Sequence, residues 1–340
     1  MRLIDMEKRW EMQDCLGTSV LHFILEHLEF DFPGIGRIDQ VTRQQLLEKI
    51  ASNVQPNHPS DIHGRSVLHI AAECGLSDVT EALLNHGINA NARTVSGYTA
   101  LHYAAALGHF ESCEALLRDK ADPNLTDIRR CSALHYAARN GHVDIVDLLL
   151  NNPQINVNQQ GWMRDTPLMT AIRQDDTQCA YKAILKHSDV DLNARDEEGR
   201  TALHLAVLKA RTSAVQDLSA MEGGISINEV DDDGNTALGL VSAFGTDYDN
   251  AVAAAIVQAL LQNQHIDASI PDKTGKTPLW KAAYHGNLGG CHMLGMRVDS
   301  AILVAYQGKT PREIALEECE YEVAVLLKTF EDRISPQTGA

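Results

Sequence analysis

The chain has no run of 18 or more apolar residues, the length a helix needs to cross a bilayer, so no membrane insertion is expected. The charged segment Met1 to Asp14 also lacks the apolar core of a secretory leader. Base is scarce: 29 Lys and Arg stand against 46 Asp and Glu, giving a net charge of −17. A protein that neutralises nucleic-acid phosphates or lies on anionic lipid carries the opposite excess, so neither partner is expected. The seven cysteines (Cys15, Cys74, Cys113, Cys131, Cys179, Cys291, Cys319) are odd in number and include no Cys-x-x-Cys pair. They fit neither a disulfide framework nor a zinc module, and reduced thiols in an intracellular protein, cytoplasmic or nuclear, are expected.

Catalytic signatures are missing as well. The sequence has no His-Glu-x-x-His zinc helix, no phosphate loop ending in Gly-Lys-Ser/Thr and no Gly-x-Ser-x-Gly elbow. Asp231-Asp232-Asp233-Gly234 has the carboxylates of a calcium loop, but the twelfth position counted from Glu229 is Leu240 instead of Glu. Gly286-Asn287-Leu288-Gly289-Gly290 reads as a turn between helices. No metal or cofactor is expected.

What the sequence does have is self-similarity. Ser66-Val67-Leu68-His69 returns as Thr99-Ala100-Leu101-His102 and Ser132-Ala133-Leu134-His135, with weaker copies at Thr166, Thr201, Thr236, Thr277 and Thr310. Successive anchors are 33, 33, 34, 35, 35, 41 and 33 residues apart. Upstream, Gly17-Thr18-Ser19-Val20-Leu21-His22 repeats the pattern once more, with its surplus residues assigned to Phe30 to Gln40.

Each copy encodes a helix start and stop. The Ser or Thr caps the helix by accepting an orphan backbone N–H, and Pro167 or Pro278 follows where the φ of proline suits the first helical residue. Alanine pairs (Ala71-Ala72, Ala104-Ala105, Ala137-Ala138) allow close helix approach, and Gly75, Gly108, Gly141 and Gly286 supply left-handed ends. A second apolar periodicity follows, as in Val143, Val146, Leu149 and Leu150, so each unit is a pair of antiparallel helices. Turns such as Asp61-Ile62-His63-Gly64 and Asp196-Glu197-Glu198-Gly199 then link one pair to the next.

Period and motif together resemble the ankyrin-repeat family, with Thr166-Pro167-Leu168 and Thr277-Pro278-Leu279 nearest its Thr-Pro-Leu-His-x-Ala signature. The resemblance implies an all-α solenoid of L-shaped units with short β-like finger turns, about nine in number, the first and last degenerate. The expected organisation is a capping unit with an insertion over 1–60, an array over 61–309 expanded near 236–276, and a terminal unit with a short tail over 310–340. The extra residues of the expanded unit fall around Phe244 to Asn250, before an apolar helix from Ala251 to Leu261.

A stack of such units binds along its fingers and the exposed side of its inner helices. His22, His69, His102, His135 and His204 share one slot of the repeat and are scaffold. On the fingers, Trp162 and Met163 stand where most units have small or charged residues. Trp162 is either an exposed anchor or an indole folded back onto its neighbours, since Arg164 replaces the usual turn glycine. Arg139 and Arg173 occupy equivalent inner-helix positions, with Arg129, Arg130, Arg164, Arg195, Arg200 and Lys209 in the same central stretch. The candidate site is therefore Tyr98, Arg129, Arg139, Trp162, Met163, Arg173, Arg200 and Lys209, facing a protein partner with an acidic or phosphorylated segment. Two alternatives stand beside it. The arginines could pair with Asp165, Asp175, Glu197 and Glu198, or the groove could hold a small molecule against Tyr98, Tyr103, Tyr136 and Trp162 in an enzyme.

Overall fold

A computed structural model describes residues 61–174, 180–221, 224–244, 250–296 and 305–334. The upstream copy at Gly17 to His22, the insertion from Phe30 to Gln40, most of Phe244 to Asn250 and the tail beyond Ile334 lie outside the described residues. Two compact units divide at Val190 and Asp191.

The first unit contains four described helix pairs: α1 (Val67–Glu73) and α2 (Ser77–Asn85), α3 (Ala100–Leu107) and α4 (Phe110–Arg118), α5 (Ala133–Asn140) and α6 (Val143–Leu150), α7 (Pro167–Arg173) and α8 (Ala180–Leu185). Inner helices α1, α3, α5 and α7 pack side by side, as do the outer helices α2, α4, α6 and α8. The second unit repeats the plan with α9 (Ala202–Leu208) and α10 (Thr212–Ser219), α11 (Ala237–Ser242) and α12 (Asn250–Gln262), α13 (Pro278–Tyr284) and α14 (Leu288–Met296), and α15 (Pro311–Glu317) and α16 (Tyr321–Ile334). Among the described residues strands are absent, and the fingers carry only isolated bridges such as Thr126 with Ser132 and Val230 with Thr236. The apolar helix expected over Ala251 to Leu261 is α12, which at 13 residues is the long helix of the expanded unit.

Side-chain size sets the layers. Ala71, Ala72, Ala104, Ala105, Ala137 and Ala138 are buried completely, which lets inner helices meet near their backbones. The outer helices contribute the bulk, for example Ile145, Val146 and Leu149, likewise without exposure. Gly108 and Gly141 end α3 and α5 in the left-handed region, as the sequence requires.

The shared histidine joins cap to finger. The backbone N–H of Thr99 donates to His102 Nδ1 at 3.1 Å, with the Thr99 hydroxyl 2.8 Å from the same nitrogen. The opposite ring nitrogen reaches the Cys131 carbonyl of the next finger at 3.1 Å. His69 does the same between Ser66 and the Ala92 and Tyr98 carbonyls, His135 between Ser132 and the Asp165 carbonyl, and, in the second unit, His204 between Thr201 and the Asn235 carbonyl. An Nδ1 that accepts and an Nε2 that donates define a neutral ring. Burial keeps it so, pushing His69, His102 and His135 down to about 4.

The next unit of the second half departs from this rule at Gly239, which occupies the histidine slot. Thr236 Oγ1 then caps α11 alone, accepting from the Gly239 N–H at 3.0 Å. A neighbouring side chain replaces the missing link to the finger: Lys281 Nζ, nearly buried, donates to Asn235 Oδ1 and lies 2.7 Å from Asp272 Oδ2. Burial opposes ionisation of Asp272, but its bonds from Lys281, Thr274 and the Lys276 backbone prevail and hold the carboxyl at about 2.

Two predictions follow from these links. An unfolded histidine has a pKa near ~6.5, so between that value and about 4 the unfolded chain binds the extra protons and stability falls as pH falls. Each of the three histidines contributes a slope of up to about 1.4 kcal/mol per pH unit in this window. Urea midpoints by circular dichroism should drop between pH 7 and pH 5 (about two units of pH), less steeply in a His102→Gln, His135→Gln variant. An unchanged wild-type midpoint would show that the rings are not held neutral. Replacing Lys281 with Met should leave Asp272 unpaired and lower stability by about 3 kcal/mol, a loss that Asp272→Asn in the same chain should partly restore.

Candidate functional site

The fingers of the first unit are built on one turn. Asp61 at its start accepts the His63 and Arg65 backbone N–H groups on Oδ1 at 2.9 and 2.8 Å, and Gly64 closes it at φ 73°. Asp127 repeats this by accepting the Arg129 and Cys131 N–H groups at 2.9 and 2.8 Å. Consecutive fingers are tied through their backbones: the Val95 N–H donates to the His63 carbonyl at 2.9 Å and the Ile128 N–H to the Ser96 carbonyl at 3.0 Å. The side chain after the turn's first residue is left at the tip. Ile62, Val95 and Ile128 hold this position at 62%, 77% and 71% exposure, so three successive fingers present an apolar tip.

The fourth finger changes the turn. Trp162, Met163 and Arg164 form a short 3-10 turn, with Met163 and Arg164 both in the left-handed region at φ 58° and 57°. In the third finger Arg130, at φ 64°, stands in the slot that Gly64 and Gly97 fill elsewhere in the unit. A non-glycine residue held there costs about 1–2 kcal/mol. Gly161 makes the fourth turn possible because a Cβ there would lie 2.9 Å from His135 Nε2 and 3.0 Å from Cys131 Sγ. Its neighbour's N–H, that of Trp162, donates to Cys131 Sγ at 3.5 Å. The indole itself is not folded back: Trp162 is 60% exposed, and the Arg129 guanidinium lies 5.4 Å from its ring centroid.

The candidate arginines divide into two kinds. Arg173 is closed onto Asp165, with Nε to Oδ2 at 2.6 Å and Nη2 to Oδ1 at 3.1 Å. The same pairing of the residue before the helix cap with the seventh helical residue recurs as Arg65 with Glu73 at 2.6 Å and, in the second unit, as Lys309 with Glu317 at 2.6 Å. Arg139 occupies the equivalent seventh position of α5, but the residue before that cap is Cys131. Arg139 is therefore exposed, with no carboxylate partner among the described residues, and the same is true of Arg129, Arg130 and Arg164. Burial pushes the Cys131 thiol up, against the opposing pull of the Trp162 N–H and the Arg129 and Arg139 charges.

Tyr98 is half-buried in a cluster with Tyr103 and Tyr136. Its hydroxyl meets that of Tyr136 at 2.9 Å, and Tyr136 donates to Asp127 Oδ2 at 2.6 Å. Burial and this bond push the Tyr136 phenol well above its ordinary value, so the cluster braces the finger and is poorly suited to proton transfer.

Arg200 and Lys209 belong to the second unit. Arg200 is held by Asp196, Nε to Oδ2 at 2.9 Å, and by Glu198. Lys209 is exposed where α9 ends. The first three finger tips of this unit are charged instead of apolar, with Glu197, Asp232 and Lys273 in the slot of Ile62, and the fourth holds the half-buried Tyr306. The structure thus brings Arg129, Arg139, Trp162 and Met163 together on the exposed side of the first unit, and ties Tyr98, Arg173 and Arg200 to partners in their own unit. The apolar tips Ile62, Val95 and Ile128 complete the surface; they hold the slot of Trp162, so in this unit that slot is apolar and not small or charged as expected from the sequence, and their spacing of 33 residues carried the signal. Among the described residues no three His, Cys, Asp or Glu side chains gather as they would around a metal ion.

A family model described as ankyrin repeats matches the chain in three copies, over residues 40–127 and 134–231, together more than half its length. No curated protein matches it.

Because the Gly161 backbone abuts the buried His135 and the half-buried Cys131, Gly161→Ala should force the fourth turn away from them and lower stability by about 1–3 kcal/mol. Urea unfolding of the variant checks this, and an unchanged midpoint would mean that the finger yields without cost.

Proposed function

This chain belongs to the ankyrin-repeat family, and from that premise we propose that it is an adaptor, inhibitor or assembly factor that holds an acidic or phosphorylated protein segment on its first unit. Ankyrin repeats are general protein-interaction modules. The observation that carries the finer reading is Trp162, an exposed indole under a guanidinium in a region where Arg129, Arg130, Arg139 and Arg164 all lack carboxylate partners among the described residues. Large aromatic and arginine side chains supply most of the energy in protein interfaces, and a guanidinium recognises a carboxylate or phosphate through two parallel bonds. Cys113, Cys131, Cys291 and Cys319 form no disulfide among the described residues, which suits a reducing, intracellular compartment. Among the described residues no helix is long and apolar enough to cross a membrane.

Affinity purification from the native source, comparing wild type with a Trp162→Ala, Arg139→Glu variant, tests the reading. Arg173 is left intact, because reversing its charge would break the pair with Asp165. The variant should keep its helicity while recovering a specific partner at least about thirtyfold less well, the loss of about 2 kcal/mol usual for an anchor residue. Equal recovery by both chains would remove the site from this surface.

A further inference from the structure

The partner-binding reading leaves two features of the first unit unexplained. Its finger tips form an apolar series, Ile62, Val95 and Ile128, that continues into Trp162, whereas the next three fingers hold Glu197, Asp232 and Lys273 and only the last returns to an aromatic residue, the half-buried Tyr306. At the Trp162 end of this series, Arg130 and Arg164 occupy left-handed backbone positions where other fingers use glycine. Both side chains are exposed and without a carboxylate partner among the described residues, and the one bond of Arg164, from Nε to Gln160 Oε1 at 3.4 Å, is too long to repay the conformational cost.

We infer that the first unit recognises an extended segment of a partner protein, apolar where it crosses Ile62, Val95 and Ile128 and rich in aspartate or glutamate where it passes Trp162. The inference rests on the protein-binding reading above and narrows the partner to this chemistry. The backbone bonds from Val95 to His63 and from Ile128 to Ser96 hold the tips in register, one per repeat, and a row of single contacts suits an extended chain. Scattered apolar residues on a surface are ordinary, but here the same slot is apolar in four successive fingers and charged in the next three. Charge complementarity sets the other half of the segment. Arg129 and Arg130 stand on the third finger, Arg164 on the fourth and Arg139 at the end of α5, so the guanidiniums are distributed over three pieces of chain. Several separate carboxylates match that distribution better than one phosphate, which needs donors converging on a single point.

The test pans a random peptide library on the full-length chain and measures the selected peptides, labelled with fluorescein, by anisotropy. Selected peptides should combine an apolar stretch with clustered Asp or Glu. Arg130→Gly and Arg164→Gly should each weaken their binding by about tenfold at low salt while leaving the urea midpoint equal or higher, since glycine relieves the turn. Val95→Asp should weaken it by a similar factor of about tenfold. Peptides without acidic residues, or unchanged affinity in the glycine variants, would overturn the inference. A preference of tenfold or more for phosphoserine over glutamate would overturn the choice of carboxylate, with tenfold being about 1.4 kcal/mol. Self-association of the chain in sedimentation that Arg130→Gly abolishes would instead make a second copy the occupant. If Trp162→Ala removes binding while Val95→Asp and the glycine variants do not, the protein-binding reading stands and this inference fails. If no variant matters, both fail.

Discussion

A short helix leaves its first backbone N–H groups without partners, and a stack of short helices multiplies that problem at every repeat. In this protein one side chain addresses it twice. The neutral imidazole of His69, His102, His135 or His204 completes the cap of its own helix and spends its remaining N–H on a carbonyl of the following finger. Helices of seven or eight residues, which would not persist alone in water, are thereby fixed at the end from which each finger enters. The placement of the tips at Val95, Ile128 and Trp162, and of the candidate contacts on those fingers, depends on that link.

Where the histidine is missing, other chemistry is used. Thr277 and Thr166 cap through their hydroxyls alone and are followed by proline, whose ring presets the first helical φ. Thr310 has a reciprocal glutamate, Glu313. At Gly239 the connection to the finger is taken over by Lys281 from the neighbouring helix pair, a cation that is tolerated at low exposure because Asp272 and Asn235 both receive it.

The candidate surface follows from a comparable accounting of partners. One pairing, between the residue before the cap and the seventh helical residue, closes Arg65 on Glu73 and Arg173 on Asp165. Cys131 cannot serve in that pairing, so Arg139 is left outward beside Arg129 and Arg130. Asp127 offers them no relief, because its first oxygen holds the turn and its second accepts the Tyr136 hydroxyl. A small basic patch therefore stands inside an acidic protein where, among the described residues, no carboxylate meets these guanidiniums, and the exposed Trp162 stands within it.

By itself the sequence determined the repeat, its helix pairs, the left-handed glycines and the structural role of the shared histidine. Each of these depends on residues a few positions apart, so spacing along the chain is enough to read them. It also placed Trp162 and Met163 on a finger and Arg139 and Arg173 in one helical slot. Only the tertiary structure decided that Trp162 faces outward and that Arg173 is engaged while Arg139 is not. The difference lies in which acceptor comes within about 3 Å of each guanidinium, a distance set by the conformation of the preceding turn. An arginine in the glycine slot, as at Arg164, signals only that the turn is unusual; that Arg130 and Arg164 keep the left-handed φ at a cost was decided by the folded chain.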